Sequence, residues 1–545
     1  GAGLASKEKA HKSVYRPFET QTPYHRETKE AGMDAFMQAQ MYTPERLQAE
    51  GLARNCHRMV VYGLAMPELL DRYAARAIEL AGRMKPDQFS VILNAFAKAH
   101  HRHDQLLQTF TKRMPPRLPQ FLPMDICQTC NAYAKLRERD EGLFRRLGSE
   151  MPHKLPLFEG FQLGKVANAY ARLSVRDDLL FDDIADEVIR RPEELDAVAL
   201  LLVANSFAHF GNGHPRLWDV LATWLLEAYP DYAAADVALV LNAVSTVGLR
   251  HEELLRTFVC ILAEEPLLRE LEASHLGLAL NAVARLQWSG DEAALGALAQ
   301  RASELLAKFS PSGVTQLLHA CARHKVLGMQ AQLVDGCLAR AHELVQDFNP
   351  QSLSILVHAC AKLGRRDVPL LTQVAKAVTP CVAEFTPQAL ALIAHGFARL
   401  EVRSEILFYL LASEIVDKMP LFSGQGLGMV LKAYGQLQIR NERVVLASRK
   451  HVRAIADELT PPEIEAVEAG FRALGSLDGP TEQLLQRLRA RLGATRAAAQ
   501  QASDDPWAPN EERLLQRLLA DPPEPASSAA RPAKAPEAAP EPQPE

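Results

Sequence analysis

Residues 93–102 read LNAFAKAHHR, and residues 130–139 read CNAYAKLRER. Both stretches place an Asn inside an apolar run, with a Lys four residues after it. Related stretches follow along the chain and centre on Asn94, Asn131, Asn168, Asn205, Asn242, Asn281, His319, His358, His395, Lys432 and Ala469. Most of the steps are 37 residues, the others are 38 or 39, and a degenerate first copy centres on His57. This period predicts a tandem array of about eleven or twelve units.

Each unit is long enough for two helices, and its boundaries carry helix start signals. An N-capping residue followed by Pro precedes several of the Asn-centred stretches, at Ser310–Pro311, Asn349–Pro350, Thr386–Pro387 and Thr460–Pro461. An Arg–Asp pair then marks the passage to a second helix, at Arg139–Asp140, Arg176–Asp177 and Arg366–Asp367. The sequence therefore predicts an all-α fold, a right-handed α-solenoid of about 11–12 helical hairpins.

The first helix of each unit has a distinct apolar face when its residues are placed at 100° intervals. In one unit this face holds Leu353, Leu356, Val357, Cys360 and Leu363. Small residues such as Ala359 and Ser354 flank it, so neighbouring first helices are expected to pack closely. The Asn or His, with the base four residues later, then points away from the core toward the concave side of the solenoid.

Composition and charge divide the chain into three regions. Residues 1–46 mix Tyr, Arg and Pro without a period and predict an extended arm; residues 47–492 hold the repeats. Residues 493–545 form an acidic Pro/Ala-rich tail, mostly disordered, with a short amphipathic helix near 510–520. The formal charge is −5, and from Asp504 onward nine acids face four bases. The repeats are therefore neutral overall, and nucleic-acid binding requires that positive residues gather on one surface.

Three columns of the array are candidates for RNA binding. The Asn/His column has side chains that both donate and accept hydrogen bonds, and the two basic columns, four and eight residues further on, suit phosphates. The candidate residues are Asn94, Lys98, Arg102, Asn131, Lys135, Arg139, Asn168, Arg172, Arg176, Asn205, Arg285, His319, Arg323, His358, Lys362, Arg366, His395, Arg399, Arg403 and Arg440.

Structural interpretations stay open for each column. The Asn and His side chains could form a ladder in which each bonds the next repeat. An Arg at position +8 suits the C-terminal end of a helix, where the helix dipole favours a positive charge. Apolar residues near the inner wall, such as Val198 and Leu202, indicate that the middle of the array contacts protein.

Catalytic and metal chemistry find little support. Cys127 and Cys130 form a CxxC, but both fall in columns of small or apolar residues, which favours core packing. His100, His101 and His103 lack acidic or Cys partners at ligand spacing. No phosphate loop, nucleophile elbow or paired acid constellation is present. We therefore expect no enzyme activity, no cofactor and no metal.

The first helices, which read [NH]A[FYC]A[KR]L, resemble the heptatricopeptide repeats of protist organellar proteins, relatives of octotricopeptide and RAP-associated repeat proteins. The resemblance covers roughly residues 47–492 and rests on residues 94–99, 131–136, 168–173, 358–363 and 395–400. It implies an α-superhelix that binds RNA in an organelle. The octotricopeptide PPPEW signature and a C-terminal RAP domain are absent from the sequence.

Two functional hypotheses follow. The first is a structural, rRNA-contacting component of a mitochondrial ribosome, located in the mitochondrial matrix or in a plastid. It would bind RNA, with neighbouring protein subunits held by the arm and the tail and no membrane insertion. The alternative is a protein scaffold of another organellar assembly, or an RNA maturation or stability factor. The first residue, Gly1, fits a removed targeting peptide and an engineered start equally well.

Overall fold

A computed structural model of the protein describes residues 42–456 and 458–492. These residues form twelve helical hairpins and contain no β-strand. The prediction of an all-α solenoid of about eleven or twelve tandem hairpins is confirmed. The chain divides into two compact units, Gly1–Glu343 and Leu344–Glu545, with eight hairpins in the first and four in the second. The predicted tail with its helix near 510–520, and residues 1–41 of the predicted arm, lie outside the described residues.

The hairpins are numbered from 1 to 12, and each consists of an odd-numbered first helix and an even-numbered second helix. The first helices are α1 (Ala49–Val61), α3 (Pro86–Lys98), α5 (Pro123–Leu136), α7 (Gly160–Arg172), α9 (Ala197–His209), α11 (Ala234–Val247), α13 (Ala273–Leu286), α15 (Pro311–Arg323), α17 (Pro350–Leu363), α19 (Pro387–Arg399), α21 (Gly424–Gln436) and α23 (Pro461–Ala473). The second helices are α2 (Pro67–Leu80), α4 (Asp104–Arg113), α6 (Glu141–Glu150), α8 (Asp178–Arg190), α10 (Pro215–Ala228), α12 (Glu252–Ala263), α14 (Glu292–Glu304), α16 (Ala331–Leu344), α18 (Val368–Val378), α20 (Glu405–Asp417), α22 (Glu442–Ala454) and α24 (Gly479–Leu492). Two short helices, Leu267–Glu270 and Lys325–Gly328, lie between them.

The predicted helix starts are confirmed. The side chains of Ser310, Asn349 and Thr386 each accept a hydrogen bond from the backbone N–H three residues later, at 3.2, 2.8 and 3.2 Å. Asp140, Asp177 and Asp367 cap second helices in the same way. Four His side chains, unforeseen from the sequence, use Nδ1 for this bond: His103, His214, His251 and His324. Such caps satisfy N–H groups that the helix itself leaves unpaired.

The turn inside each hairpin has a fixed geometry. In eleven of the twelve described hairpins, the sixth residue after the aligned position has a positive φ: Gly63, His100, Arg137, Ser174, Gly211, Gly248, Gln287, Gly364, Glu401, Gln438 and Gly475. The next N–H returns to a carbonyl of the first helix, as from Glu138 to Tyr133 at 3.0 Å. This is a Schellman-type end, which satisfies carbonyls of the last turn. Hairpin 8 departs from the pattern, because the short helix Lys325–Gly328 occupies its turn.

The core of each hairpin lies between its two helices. The apolar column before the first helices is buried, at Phe121, Phe158, Phe309, Phe348, Phe385 and Phe422. Buried Tyr side chains find polar partners on the second helix of the preceding hairpin, since the Tyr170 hydroxyl donates to the Phe144 carbonyl of α6 at 2.7 Å and Tyr434 to the Phe408 carbonyl of α20 at 2.8 Å. These buried hydroxyls are therefore satisfied by the neighbouring hairpin, and the bonds join successive hairpins.

Successive first helices pack closely within each unit. A Cβ placed on Gly164 of α7 would lie 3.0 Å from the backbone of Ala199 in α9, and one on Gly470 of α23 would lie 2.5 Å from Cβ of Leu431 in α21. A side chain at either position would force the neighbouring helix to shift, so glycine suits both. Second helices contact their neighbours less extensively. The tighter spacing is therefore on the first-helix side, the inner side of each unit.

Candidate nucleic-acid interface

Four cations gather on the solvent-facing side of α3, α5 and α7 in the first unit. Three of them, Lys98, Lys135 and Arg172, occupy the predicted +4 column of consecutive hairpins, and Lys165 lies two turns before Arg172. We call these four residues the cation cluster. Burial lowers the pKa of Lys135, and the positive charges of Lys98, Arg172 and Lys165 lower it further. Within residues 42–456 and 458–492, none of the four forms an ion pair with a carboxylate. The cluster is thus a concentration of uncompensated positive charge.

Flat and apolar side chains lie beside the cation cluster. The Lys165 ammonium lies 4.7 Å from the centre of the Phe161 ring, a cation–π contact. Phe161 is itself half-buried, and Met124, the equivalent residue of the preceding hairpin, is 40% exposed. An aromatic ring and a thioether next to positive charges can receive an unstacked base.

The Asn column runs through the same surface. Asn94, Asn131 and Asn168 are half-buried, and their amides bond no other described residue. The ladder in which each Asn bonds the next repeat is therefore not formed at these positions. In the following hairpin Asn205 bonds its own helix, from Nδ2 to the Leu201 carbonyl at 3.0 Å. Three free amides thus face solvent beside the cation cluster, where they can bond a base edge.

The His part of the column is not on the surface, and the expectation that it points away from the core is wrong. His319, His358 and His395 are each 2% exposed, and Asn281 is 9% exposed. The physical reason is the close approach of the first helices. At Gly396, the neighbour of His395, a Cβ would lie 2.5 Å from a methyl group of Val357. The packed helices enclose these side chains, so the half-buried amides without a described hydrogen bond are Asn94, Asn131 and Asn168 in hairpins 2–4 and Asn242 in hairpin 6.

Most arginines of the +8 column are held by hydrogen bonds or ion pairs, whereas a phosphate contact requires that they project freely. Three of them reach the neighbouring hairpin. Arg102 donates to the Leu136 carbonyl at the end of α5 at 2.7 Å and pairs with Asp104 at 2.7 Å and with Glu138 at 2.5 Å. Arg139 likewise reaches the Ser174 carbonyl and pairs with Glu141. Arg366 donates to the Glu401 carbonyl, while Arg176 and Arg403 pair with the acid two residues later. Of the predicted column, Arg440 and Arg250, the equivalent residue of hairpin 6, have no described hydrogen bond or ion pair.

The contacts of the +8 column therefore agree better with the structural interpretation, an Arg at the C-terminal end of a helix, than with phosphate binding. One detail differs from that interpretation. The carbonyls that these side chains bond belong to the C-terminal end of the next first helix, and not to the helix that the Arg follows. The side chains favour that end because its carbonyls lack partners within the helix. Carboxylates already compensate much of their charge.

The +4 column changes character after hairpin 4. In hairpins 5 and 6 the base is replaced by His209, whose pKa is lowered by burial, and by Thr246. Arg285 donates to the Thr246 hydroxyl at 3.2 Å, and its pKa is lowered by burial and by the charge of Arg323. Arg285 is thus partly committed to a neighbouring hairpin. In the second unit Lys362 and Arg399 are exposed at the equivalent positions.

The sequence of the chain matches a known protein family. Two overlapping segments, residues 120–380 and 291–442, match the RNA-editing substrate-binding complex 6 protein family. Together they cover residues 120–442, more than half of the chain. The chain belongs to this family. The matched segments contain α5 and α7, and with them Lys135, Lys165 and Arg172 of the cation cluster.

This member of the RNA-editing substrate-binding complex 6 protein family has little similarity to curated sequences or to solved structures. No curated protein sequence matches it. Its fold is similar to a homology model of the full-length AP-3 complex in an intermediate open conformation, with 9% identity, 86% of this chain and 83% of that chain covered, and a TM-score of 0.32. It is also similar to the crystal structure of the maize pentatricopeptide repeat protein PPR10, with 12% identity, 91% and 88% covered, and a TM-score of 0.29.

The Cys and His residues that the sequence raised as redox or metal candidates have structural roles. Cys127 and Cys130 are buried, and burial raises the pKa of both thiols, to about 11 for Cys127. His103 caps α4, and Nε2 of His101 lies 2.7 Å from a carboxylate oxygen of Asp71. Among the described residues no group of three or more His, Cys, Asp or Glu is arranged to hold a metal ion. None of the helices searched in that part of the chain is long and apolar enough to cross a membrane.

Lys165 is the member of the site that sequence reasoning missed. It precedes Asn168 by three residues and Arg172 by seven, so all three share one face of α7. This spacing is visible in the sequence. The equivalent residues of other hairpins are, however, Val91, Gln128 and Leu202, so Lys165 does not belong to a repeated basic column.

Proposed function

We propose that the chain binds RNA on the first-helix side of hairpins 2–4, as a subunit of a mitochondrial assembly that edits or otherwise matures transcripts. The observation that carries the proposal is the cation cluster, in which four cations lie together and no described carboxylate compensates them. Burial and, after it, the neighbouring like charges lower the pKa of Lys135. A folded protein gains nothing from such repulsion. A bound phosphate backbone would relieve it and release counterions.

The neighbouring side chains suit single-stranded RNA. Phosphates would contact Lys98, Lys135 and Arg172, one cation from each hairpin, while bases lie against Phe161 or Met124. The amides of Asn94, Asn131 and Asn168 can donate to or accept from base edges, because an amide has both capacities. Affinity would come mainly from the cations, and any base preference from the amides.

The family supports the editing or maturation role, because its name describes a complex that binds RNA-editing substrates. The same name supports protein partners for this chain, because it describes a complex. The mitochondrial location rests on the resemblance to the heptatricopeptide repeats of organellar proteins. The ribosomal role that the sequence suggests remains the second candidate. It rests on the resemblance to heptatricopeptide repeats and on the long regions that flank the hairpins, which are typical of subunits embedded in an assembly.

Ultraviolet crosslinking in cells, followed by sequencing of the bound RNA, tests the proposal. We expect crosslinks from the natural chain and their loss in the variant K98Q/K135Q/K165Q/R172Q. A matched control, R145Q/R256Q/R269Q/K376Q, removes four exposed cations from second helices and connectors and should retain the crosslinks. Transcripts or short RNAs of an editing process would support the maturation role, and ribosomal RNA the ribosomal one. A natural chain without RNA crosslinks would overturn RNA binding altogether.

A further inference from the structure

The outer face of the second unit carries an apolar patch that the repeat pattern does not require. Ile406 and Tyr409 of α20 are 76% and 75% exposed, and Leu446 of α22 is 60% exposed. Tyr409 and Leu446 are each the fifth residue of their helix and lie side by side in adjacent hairpins, because α20 and α22 contact each other. Packed helices lie about 8–10 Å apart, so the three side chains form one continuous surface.

The same position is small or polar in every other described hairpin. The fifth residues of the remaining second helices are Asp71, Gln108, Arg145, Asp182, Asp219, Arg256, Gly296, Asp335, Thr372 and Gln483. Two large apolar residues therefore replace solvated ones in two consecutive hairpins only. A single exposed apolar side chain is ordinary on a protein surface, whereas a contiguous patch marks a contact site.

Positive charges border this patch on one side. Arg443, Lys450 and Arg453 are exposed on α22, and Arg443 and Lys450 have no ion-pair partner among the described residues. On α20, Glu405 pairs with Arg403 at 2.8 Å and Glu414 with Lys418 at 3.0 Å. Asp417 of α20 and Glu442 of α22 have no ion pair among the described residues, so three cations face two acids here. The surface thus suits an occupant that combines negative charges with an apolar face. RNA would use the cations but would leave the apolar side chains exposed.

The chain itself contains a segment with this chemistry. Residues 504–520 read DDPWAPNEERLLQRLLA, with four acids before two pairs of Leu and with two bases, Arg513 and Arg517, so that the segment is acidic overall. Leu514 and Leu518, and likewise Leu515 and Leu519, are four residues apart, the spacing that would place two side chains on one face of a helix. We propose that residues 504–520 bind the outer face of α20 and α22, with the leucines on Tyr409 and Leu446 and the acids toward Arg443 and Lys450.

The length of chain between the array and this segment is sufficient. Residues 493–503 follow α24, which belongs to the same unit as the patch. Eleven residues can span up to about 36 Å. The distance to cover is one helix length, about 20 Å, and one or two helix spacings of about 8–10 Å. The segment can therefore reach the patch of its own chain.

Photocrosslinking of the full chain tests this contact. Tyr409 is replaced by p-benzoylphenylalanine, and the same replacement of Arg256, the fifth residue of α12 in the first unit, serves as the matched control. We expect a crosslink from position 409 to residues 504–520 of the same chain and none from position 256. Mixing with isotope-labelled chains identifies crosslinks between copies. A crosslink from 409 to a second copy, to RNA or to another segment, or no crosslink at all, would overturn the proposal.

Two further variants separate a specific contact from chance proximity. Leu515→Asp with Leu519→Asp changes only residues outside the twelve hairpins, and we expect it to abolish the crosslink. Lys450→Glu should lower the crosslink yield about fivefold, the effect of one surface charge pair, and Glu512→Lys in the same chain should restore it. Unchanged yields in both variants would contradict the proposed mode of binding.

Discussion

Arg102 of hairpin 2 donates a hydrogen bond from Nη1 to the backbone oxygen of Leu136 at the end of α5, over 2.7 Å. The same guanidinium pairs with Asp104 on its own hairpin and with Glu138 on the next. One side chain thereby connects two hairpins and satisfies a carbonyl that its helix leaves without a partner. Arginines 37 residues apart repeat this arrangement, since Arg139 reaches Ser174.

Removal of this link should destabilise the array without affecting RNA binding. We expect Arg102→Ala to lower the free energy of unfolding by about 1–2 kcal/mol, because charge-assisted hydrogen bonds to a half-exposed group are lost. Urea denaturation measures the change. The control Arg145→Ala, which loses only an exposed pair with Glu141, should stay within about 0.5 kcal/mol. A loss of RNA affinity in Arg102→Ala at unchanged stability would favour the phosphate interpretation instead.

The cation cluster should appear in the salt dependence of RNA binding. For single strands, the slope of log K against log salt is about −0.7 for each phosphate contact. We therefore expect K98Q/K135Q/R172Q to reduce the magnitude of the slope by about 2 for a single-stranded RNA, as measured by fluorescence anisotropy over a salt series. The control R145Q/R256Q/R269Q should keep the slope of the natural chain. Equal slopes in the two variants would place the phosphates elsewhere.

The environment of Lys135 should also affect stability in the absence of RNA. Its pKa is lowered in the folded protein by burial and by three neighbouring cations, so folding disfavours the charged form. This cost is present in full at neutral pH and is relieved as the pH rises through the lowered pKa toward that of the unfolded chain. Lys135→Met should therefore stabilise the free protein at pH 7.

The stabilisation by Lys135→Met should shrink as the pH rises toward 10.5, the ordinary value for Lys. Denaturant titrations at several pH values measure the difference between variant and natural chain, in which the other titrating groups cancel. Lys376→Met, on the outer face of α18, controls for the loss of one charge. A destabilised Lys135→Met at pH 7, or a difference independent of pH, would contradict the assignment.

The packing of the first helices predicts opposite effects at two glycines. Gly164→Ala should destabilise the protein by roughly 1–3 kcal/mol, because the new methyl group would lie 3.0 Å from the backbone of Ala199. Gly296→Ala in α14 meets no atom within 4 Å and should stabilise by about 0.5–1 kcal/mol, since Ala restricts the unfolded chain and favours a helix. Thermal unfolding compares the two. If both substitutions change the stability in the same direction, the helices α7 and α9 can move apart to accept the new methyl group.

Local features of this chain could be predicted from the sequence because short-range chemistry determines them. The period of about 37 residues, the caps at Ser310 and Asn349, and the burial of Phe121 all follow from residues within one hairpin. The same holds for the surface position of Lys98, Lys135 and Arg172, which only requires that one side of a helix faces away from the core.

The tertiary structure decided what depends on contacts between hairpins. Whether a polar residue of the first helix is accessible or enclosed depends on how closely the next helix approaches, and this separates the half-buried amide of Asn131 from the buried ring of His395. Whether an Arg is available to a ligand depends on the carbonyls and acids within its reach, and these lie about 35 residues away for Arg102. The sequence by itself determined the hairpin and its faces, and only the stacking of hairpins decided which of those side chains remain free to bind, because the partners that occupy the others come from the neighbouring repeat.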